Sequence, residues 1–288
     1  VSTLTVARKD FQDAIRSWLL LGLTAVFVVF AAGAAYIYIA LGAFVGGPAT
    51  GESISSTALI SFLSALTAFF IPLIGLIVGY KSIIAERESG SIALLLSLPH
   101  TRRDVVLGKV LGRTGVVFVS AVVGFLIAAG VVVVLAGSLS AADYALFVLA
   151  TLLLALAFVA LAVSFSAATK SSTLSLVGAG ILTVLFIVPI PLLGSLWALI
   201  PTLVRFVLDE YTPLTLDLST QPEWAQFFIQ LDPTVAYSDV LGVLIPDLAN
   251  GGGGAPFYLA PSFGFVILAA WIVVPLALGY YRFDATDL

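Results

Sequence analysis

The 288-residue chain contains no cysteine, so it can form no disulfide framework, thiolate metal site or cysteine nucleophile. Methionine is absent too, even at position 1, and His100 is the single histidine. His100 follows Pro99 and stands beside Arg102 and Arg103. A lone histidine builds no metal site, and this one reads as a solvated turn residue. No H-E-x-x-H and no G-x-S-x-G is present, which removes the commonest protease and hydrolase signatures. The run Gly251 to Gly254 is not followed by Gly-Lys-Ser/Thr. It therefore reads as a flexible linker and not as a phosphate loop. With no catalytic constellation and no site for a metal or a cofactor, the chain is expected not to be an enzyme.

Charge is scarce as well. Only 10% of residues are Asp, Glu, Lys or Arg, where soluble domains carry about 25%. What fills the chain instead is apolar: 61% of residues are hydrophobic and the mean hydropathy is +1.17. The useful unit for such a chain is the membrane span of roughly 20 residues.

Residues 1–17 are polar and carry Arg8, Lys9, Asp10, Asp13 and Arg16. Leu4, Phe11, Ile15 and Trp18 recur at helical spacing while the charges fall largely on the other face. This pattern predicts an amphipathic helix lying on the membrane surface, with Arg8, Lys9, Phe11 and Ile15 as its interfacial residues. The apolar run that follows is too long for a secretory signal. Six spans are expected, over 18–45, 57–80, 105–135, 144–168, 174–199 and 262–279, with Pro72 inside the second and Pro189 and Pro191 interrupting the fifth. Residues 81–104 form a charged loop, and 200–261 form a long, proline-rich outer segment holding Trp224, Phe227, Phe228 and Tyr237. Leu203, Phe206, Val207 and Glu210 in that segment suggest a short interfacial helix. The fold class is an all-α, multi-pass protein of the cell membrane.

Orientation follows from the cations. With the N-terminus inside, eleven of the twelve Lys and Arg residues lie on the cytoplasmic side, and only Arg205 falls outside. The positive-inside bias therefore predicts N-in and C-in. The outer side gathers acid, including Asp143, Glu223, Asp232 and Asp239. No ionisable residue falls in the middle of an expected span, whereas ion-coupled carriers usually keep such groups at mid-depth. Energy for transport is thus expected from another polypeptide.

Half of the cations lie between Lys81 and Arg113. There the chain reads Glu86-Arg87-Glu88-Ser89-Gly90-Ser91-Ile92, then Leu94-Leu95-Leu96, Pro99, Arg102-Arg103-Asp104 and Gly108-Lys109. This run resembles the membrane subunits of ABC-2-type ABC transporters, in the branch related to the permease of the nitrous-oxide-reductase maturation system. The amphipathic start Ala7-Arg8-Lys9-Asp10-Phe11, the six spans, and Asp232-Pro233 with Ala236-Tyr237 in the outer segment share the likeness.

The resemblance implies that residues 81–104 contain a coupling helix docking into a separate cytoplasmic ATPase, which would bind the ATP. Glu86, Arg87, Glu88, Gly90, Ile92, Leu95, Pro99, Arg102 and Arg103 are the docking candidates. A helix starting at the acidic cluster and continuing through Ile92, Leu95 and Leu98 would offer ion pairs and an apolar face together, with Gly90 allowing a bend and Pro99 ending it. The alternative for the loop is a solvated turn whose charges pair with one another for little energy. The other partners implied are a second permease subunit, identical or not, and membrane lipid. The outer segment offers a surface to an extracytoplasmic partner or else caps the path, and no nucleic acid is involved. Copper conduction does not suit a chain without Cys or Met, because a soft copper ion wants thiolate, thioether or imidazole ligands. The competing class is an ATP-independent carrier or a membrane scaffold.

Overall fold

A computed structural model describes residues 3–44, 55–92, 101–190, 194–207, 222–249 and 256–285. Helix α1 (Thr3–Arg16) leads through Ser17 into α2 (Trp18–Phe44). Then come α3 (Ser56–Gly79), the short α4 (Ile84–Glu88), α5 (Arg102–Ala136), α6 (Ala141–Ala168) and α7 (Ser172–Ile187). A two-residue ladder, β1 (Pro189–Ile190) against β2 (Gly194–Ser195), is antiparallel with Pro189 opposite Ser195. Helices α8 (Leu199–Val207), α9 (Glu223–Gln230) and α10 (Pro233–Leu244) follow, and α11 (Gly264–Asp284) closes the described chain. Short 3-10 turns at 196–198, 246–248, 257–259 and 261–263 join the last elements.

Local chemistry starts these helices where they start. Ser55, Ser140 and Ser171 each accept a hydrogen bond from a backbone N–H in the first turn of α3, α6 and α7, satisfying a donor that the helix itself leaves unpaired. Thr101 and Asp104 form a reciprocal capping box at α5. Asp232 caps α10, with Pro233 at its first position. Gly137, with φ +78°, ends α5 in the left-handed conformation that suits glycine.

Among the described residues, five helical segments are long and apolar enough to cross a membrane, by length and composition: Trp18–Leu41, Ser56–Glu88, Arg102–Ala136, Ala141–Ala168 and Pro261–Asp284. The segment expected as a span over 174–199 does not continue as one helix. Its helix is Ser172–Ile187, 16 residues long, or about 24 Å at 1.5 Å per residue. It stops just before Pro189, which has no N–H to continue the ladder, and the chain reverses through β1 and β2. The third span begins earlier than expected, at Arg102, because the capping box lies at Thr101.

Helix α6 is the centre of the bundle. Phe147, Leu154, Ala155, Phe158, Val159, Ala160 and Val163 are all buried along it, with α3 and α5 on one side and α7, α10 and α11 around the rest. Gly75 and Gly79 let α3 approach closely, since a Cβ at either would fall within 2.7 Å of the Cβ atoms of Phe158 or Ala162. Counting α7 between α6 and α11, α2, α3, α5, α6, α7 and α11 alternate in direction, and α6 and α11 both end on the same side. The 81–92 loop, the 169–171 turn, α1 and the end of α11 therefore gather at one end, which is rich in cations. Residues 222–249 fold at the other end, where Tyr237 is wholly buried with its hydroxyl 3.1 Å from Thr151 Oγ1.

Candidate functional site

At the cation-rich end, α3 unwinds after Gly79 and re-forms as the single turn of α4. The turn is pinned from below, where Ser166 Oγ of α6 accepts from the backbone N–H groups of Ile83 and Ile84, both at 3.0 Å. Helix α4 then ends at Ser89, and Gly90 takes φ +73°. The helix expected to run on from the acidic cluster is thus broken at Gly90. Residues Ser91 and Ile92 are helical again, and 93–100, including the docking candidates Leu95 and Pro99, lie outside the described residues.

The three charges of α4 reach α5, the turn after α6, α11 and α7. Glu86 Oε1 accepts from Lys109 Nζ of α5 at 2.6 Å. The same ammonium donates to Asp10 Oδ1 of α1 at 2.9 Å, and Arg113 Nε stands 3.0 Å from Asp10 Oδ2. Asp10 and Lys109 are buried, their side chains 3% and 8% exposed. Buried charges persist only when paired and hydrogen-bonded, and here two acids and two bases neutralise one another. Arg87 donates to the carbonyl of Thr169 at 3.0 Å and lies over the Phe283 ring at 4.7 Å. Glu88 caps α7 by accepting from Ser172 N at 2.8 Å and from Ser172 Oγ at 2.6 Å. A carboxylate at that position also suits the positive end of the helix dipole.

Arg102 completes the clamp from the far side of the loop. It donates to the carbonyls of Phe283 and Asp284 and shares the Phe283 ring with Arg87. Thr3 Oγ1 donates to Asp104 Oδ1 at 2.7 Å, binding the start of α1 to the start of α5. The loop between α3 and α5 is thereby fastened to α5, α6, α7 and α11 and, through Lys109, to α1.

Family comparison bears on this arrangement. The profile of the ABC-2 family transporter proteins matches residues 4–288. The chain belongs to the ABC-2 transporter family. Two relatives, each named a probable ABC transporter permease protein NosY, come from Pseudomonas aeruginosa and Stutzerimonas stutzeri. The first is 33% identical over 174 residues, covering 58% of this chain and 61% of the relative. The second is 36% identical over 120 residues, covering 42% and 41%. The matches thus span less than two thirds of either relative. With its apolar helices and this family, the protein is a multi-pass protein of the cell membrane, the membrane component of an ABC-2 system.

The remaining expected site residues of this ABC-2 chain divide by exposure. Arg103 and Gly90 are exposed, but Ile92 is only 4% exposed and packs in the apolar core, so it offers no face to a partner. On α1, Arg8, Lys9 and Ile15 are exposed and Phe11 is half-buried, with Leu4 and Trp18 also outward. The opposite face, Val6, Ala7, Asp10 and Ala14, packs onto α5. Sequence reasoning missed Asp10 and the inward role of Lys109 and Arg113. The signal that marks them is Gly108 and Gly112, four apart beside those two cations, which make a close-packing stripe on α5. Among the described residues no group of three or more His, Asp or Glu could hold a metal ion.

Proposed function

We propose that this chain is the membrane-spanning subunit of an ATP-driven transporter and works as half of a permease dimer. A separate cytoplasmic ATPase would bind and hydrolyse the ATP, and this chain would carry no catalytic residue. The termini lie on the cytoplasmic side, and the chain crosses six times, with Ser172–Ile187 as a short fifth crossing completed by the β1–β2 reversal. The observation that carries the reading is the clamp around Glu86, Arg87 and Glu88. Because this loop grips five helices, a push on it moves the whole cytoplasmic end as one piece. A loop free to flex would dissipate the same push.

Docking and transmission fall to different residues in this reading. Exposed groups such as Arg103 meet the ATPase, while Glu86, Arg87, Glu88 and Arg102 pass the displacement inward. The test is co-purification of the tagged chain with its ATPase in mild detergent. Arg103→Glu is expected to release the ATPase from a folded permease. Glu88→Gln is expected to retain the ATPase but weaken substrate stimulation of hydrolysis. If the unaltered protein retains no ATPase, the carrier or scaffold reading replaces this one.

A further inference from the structure

A groove of about 710 Å³ runs along α11, with α6 and α7 as its floor and Phe227, Leu231 and Phe263 over one end. Its α11 wall is the stripe Val266, Ala270, Val274, Leu278 and Arg282, spaced four residues apart on one helix face. The stripe is about 24 Å long at 1.5 Å per residue, most of a hydrocarbon core of about 30 Å. All of it is exposed. Away from Tyr281 and Arg282 at the cation-rich end, the polar side chains lining the groove have partners. Trp271 Nε1 donates to the carbonyl of Leu231 at 2.8 Å, Trp197 Nε1 to that of Phe228 at 2.7 Å, and Ser164 Oγ to that of Ala160 at 2.6 Å. The groove therefore asks for an occupant with no hydrogen-bonding groups along its length.

Charge decides the end of that occupant. Arg282 closes the groove at the cation-rich end, and Lys170 follows two residues after Ala168, the last α6 residue of the wall. A long apolar slot ending in cations complements an acyl chain carrying an anionic headgroup. A second copy of the chain fits less well. A two-fold interface centred here would bring Arg282 of each copy toward its own counterpart, and like charges in apolar surroundings repel strongly.

We propose that this groove is a binding site for one anionic phospholipid, its chain along the α11 stripe and its phosphate at Arg282. The inner-leaflet placement rests on the orientation proposed above, but the binding itself does not.

The two groove tryptophans supply the readout. A Trp18→Phe/Trp224→Phe variant of the full chain leaves Trp197 and Trp271, both lining the groove. In phosphatidylcholine nanodiscs, chain-brominated phosphatidylglycerol is expected to reach half-quenching at about five-fold lower mole fraction than chain-brominated phosphatidylcholine, the preference one basic side chain gives at a membrane surface. Arg282→Gln should erase that preference and Arg282→Lys should keep it. Identical curves for the two lipids in the unaltered groove would overturn the proposal, leaving non-specific solvation only. So would efficient cross-linking of Ala270→Cys between two copies in native membranes, a clean experiment in a chain without cysteine. The quenching assay uses no ATP, so failure of the transport reading leaves its outcome intact.

Discussion

Lys109 Nζ lies 2.6 Å from Oε1 of Glu86 and joins α5 to the short helix after α3. The same nitrogen reaches Asp10 on α1, so one ammonium holds three segments that are far apart in sequence. A bilayer-embedded protein gains little hydrophobic energy from packing helices together, because lipid tails are equally apolar. Paired charges at the helix ends are then a strong source of specific association.

Lys109→Met should be severely destabilising. It removes the ammonium that pairs with Glu86 and leaves Asp10 dependent on Arg113 alone. Removing one member of a buried ionic network costs about 3–5 kcal/mol. Thermal unfolding in detergent should show a marked fall in midpoint, and adding Asp10→Asn should recover part of it, because contacting sites are not additive. Equal effects of the single and double variants would refute the coupling.

Glu88→Ala should loosen the start of α7 without unfolding the bundle. Two hydrogen bonds to Ser172 are lost, while the helix keeps its own N-cap, Ser171. Hydrogen exchange should accelerate over 170–176 and stay unchanged in α5. Glu88→Gln keeps one acceptor and should fall between the two.

Gly112→Leu should detach α1. A Cβ at Gly112 would stand 2.8 Å from Asp10 Cβ and 2.9 Å from the carbonyl oxygen of Ala7, and neither backbone nor the paired aspartate can yield. Limited proteolysis should then cleave within 3–16 while the rest of the chain stays resistant. Protection equal to that of the unaltered protein would show that α1 is held by other contacts.

Asp232 should make the outer region pH-sensitive. It is fully buried, and burial pushes its carboxyl up to about 6 despite hydrogen bonds from Thr234 and Ser195. Its pKa is thus raised above the unfolded value of about 3.9. The folded state therefore favours the protonated acid, a contribution present below about pH 4 and lost as pH rises through about 6. Asp232→Asn keeps an acceptor for Thr234 and should flatten this part of the profile. Asp239 is also raised by burial and accepts from Gln230, so a residual slope in Asp232→Asn is expected. Thermal melts between pH 4 and 8 check both, and a parallel profile in the variant would dismiss Asp232 as the source.

Much of this layout was legible in the residues. Apolar run length marked the long helices, the break at Pro189 is local chemistry, and the motif from Glu86 to Lys109 pointed to the family that the comparison shows. The site was less legible. Nothing in the residues showed that Glu88, read as a docking charge, also bonds to the start of α7, or that Ile92, read as part of an apolar docking face, is buried in the core. Exposure is settled by what packs on a residue, and here the packing partners are far away in sequence, 84 positions for Glu88 and Ser172 and 181 for Arg102 and Phe283.

By itself, the sequence determined the membrane class, the approximate helix lengths and the gathering of cations toward one end, because hydropathy and charge belong to each residue wherever the chain folds. Only the tertiary structure decided which charges turn inward. Asp10 sits among solvated Arg8, Lys9 and Asp13 in the sequence, yet it is buried because Lys109, 99 positions away, and Arg113 meet it across the α1–α5 contact. A carboxylate enters an apolar interior only with its counter-charge, and that partner is chosen by helix packing.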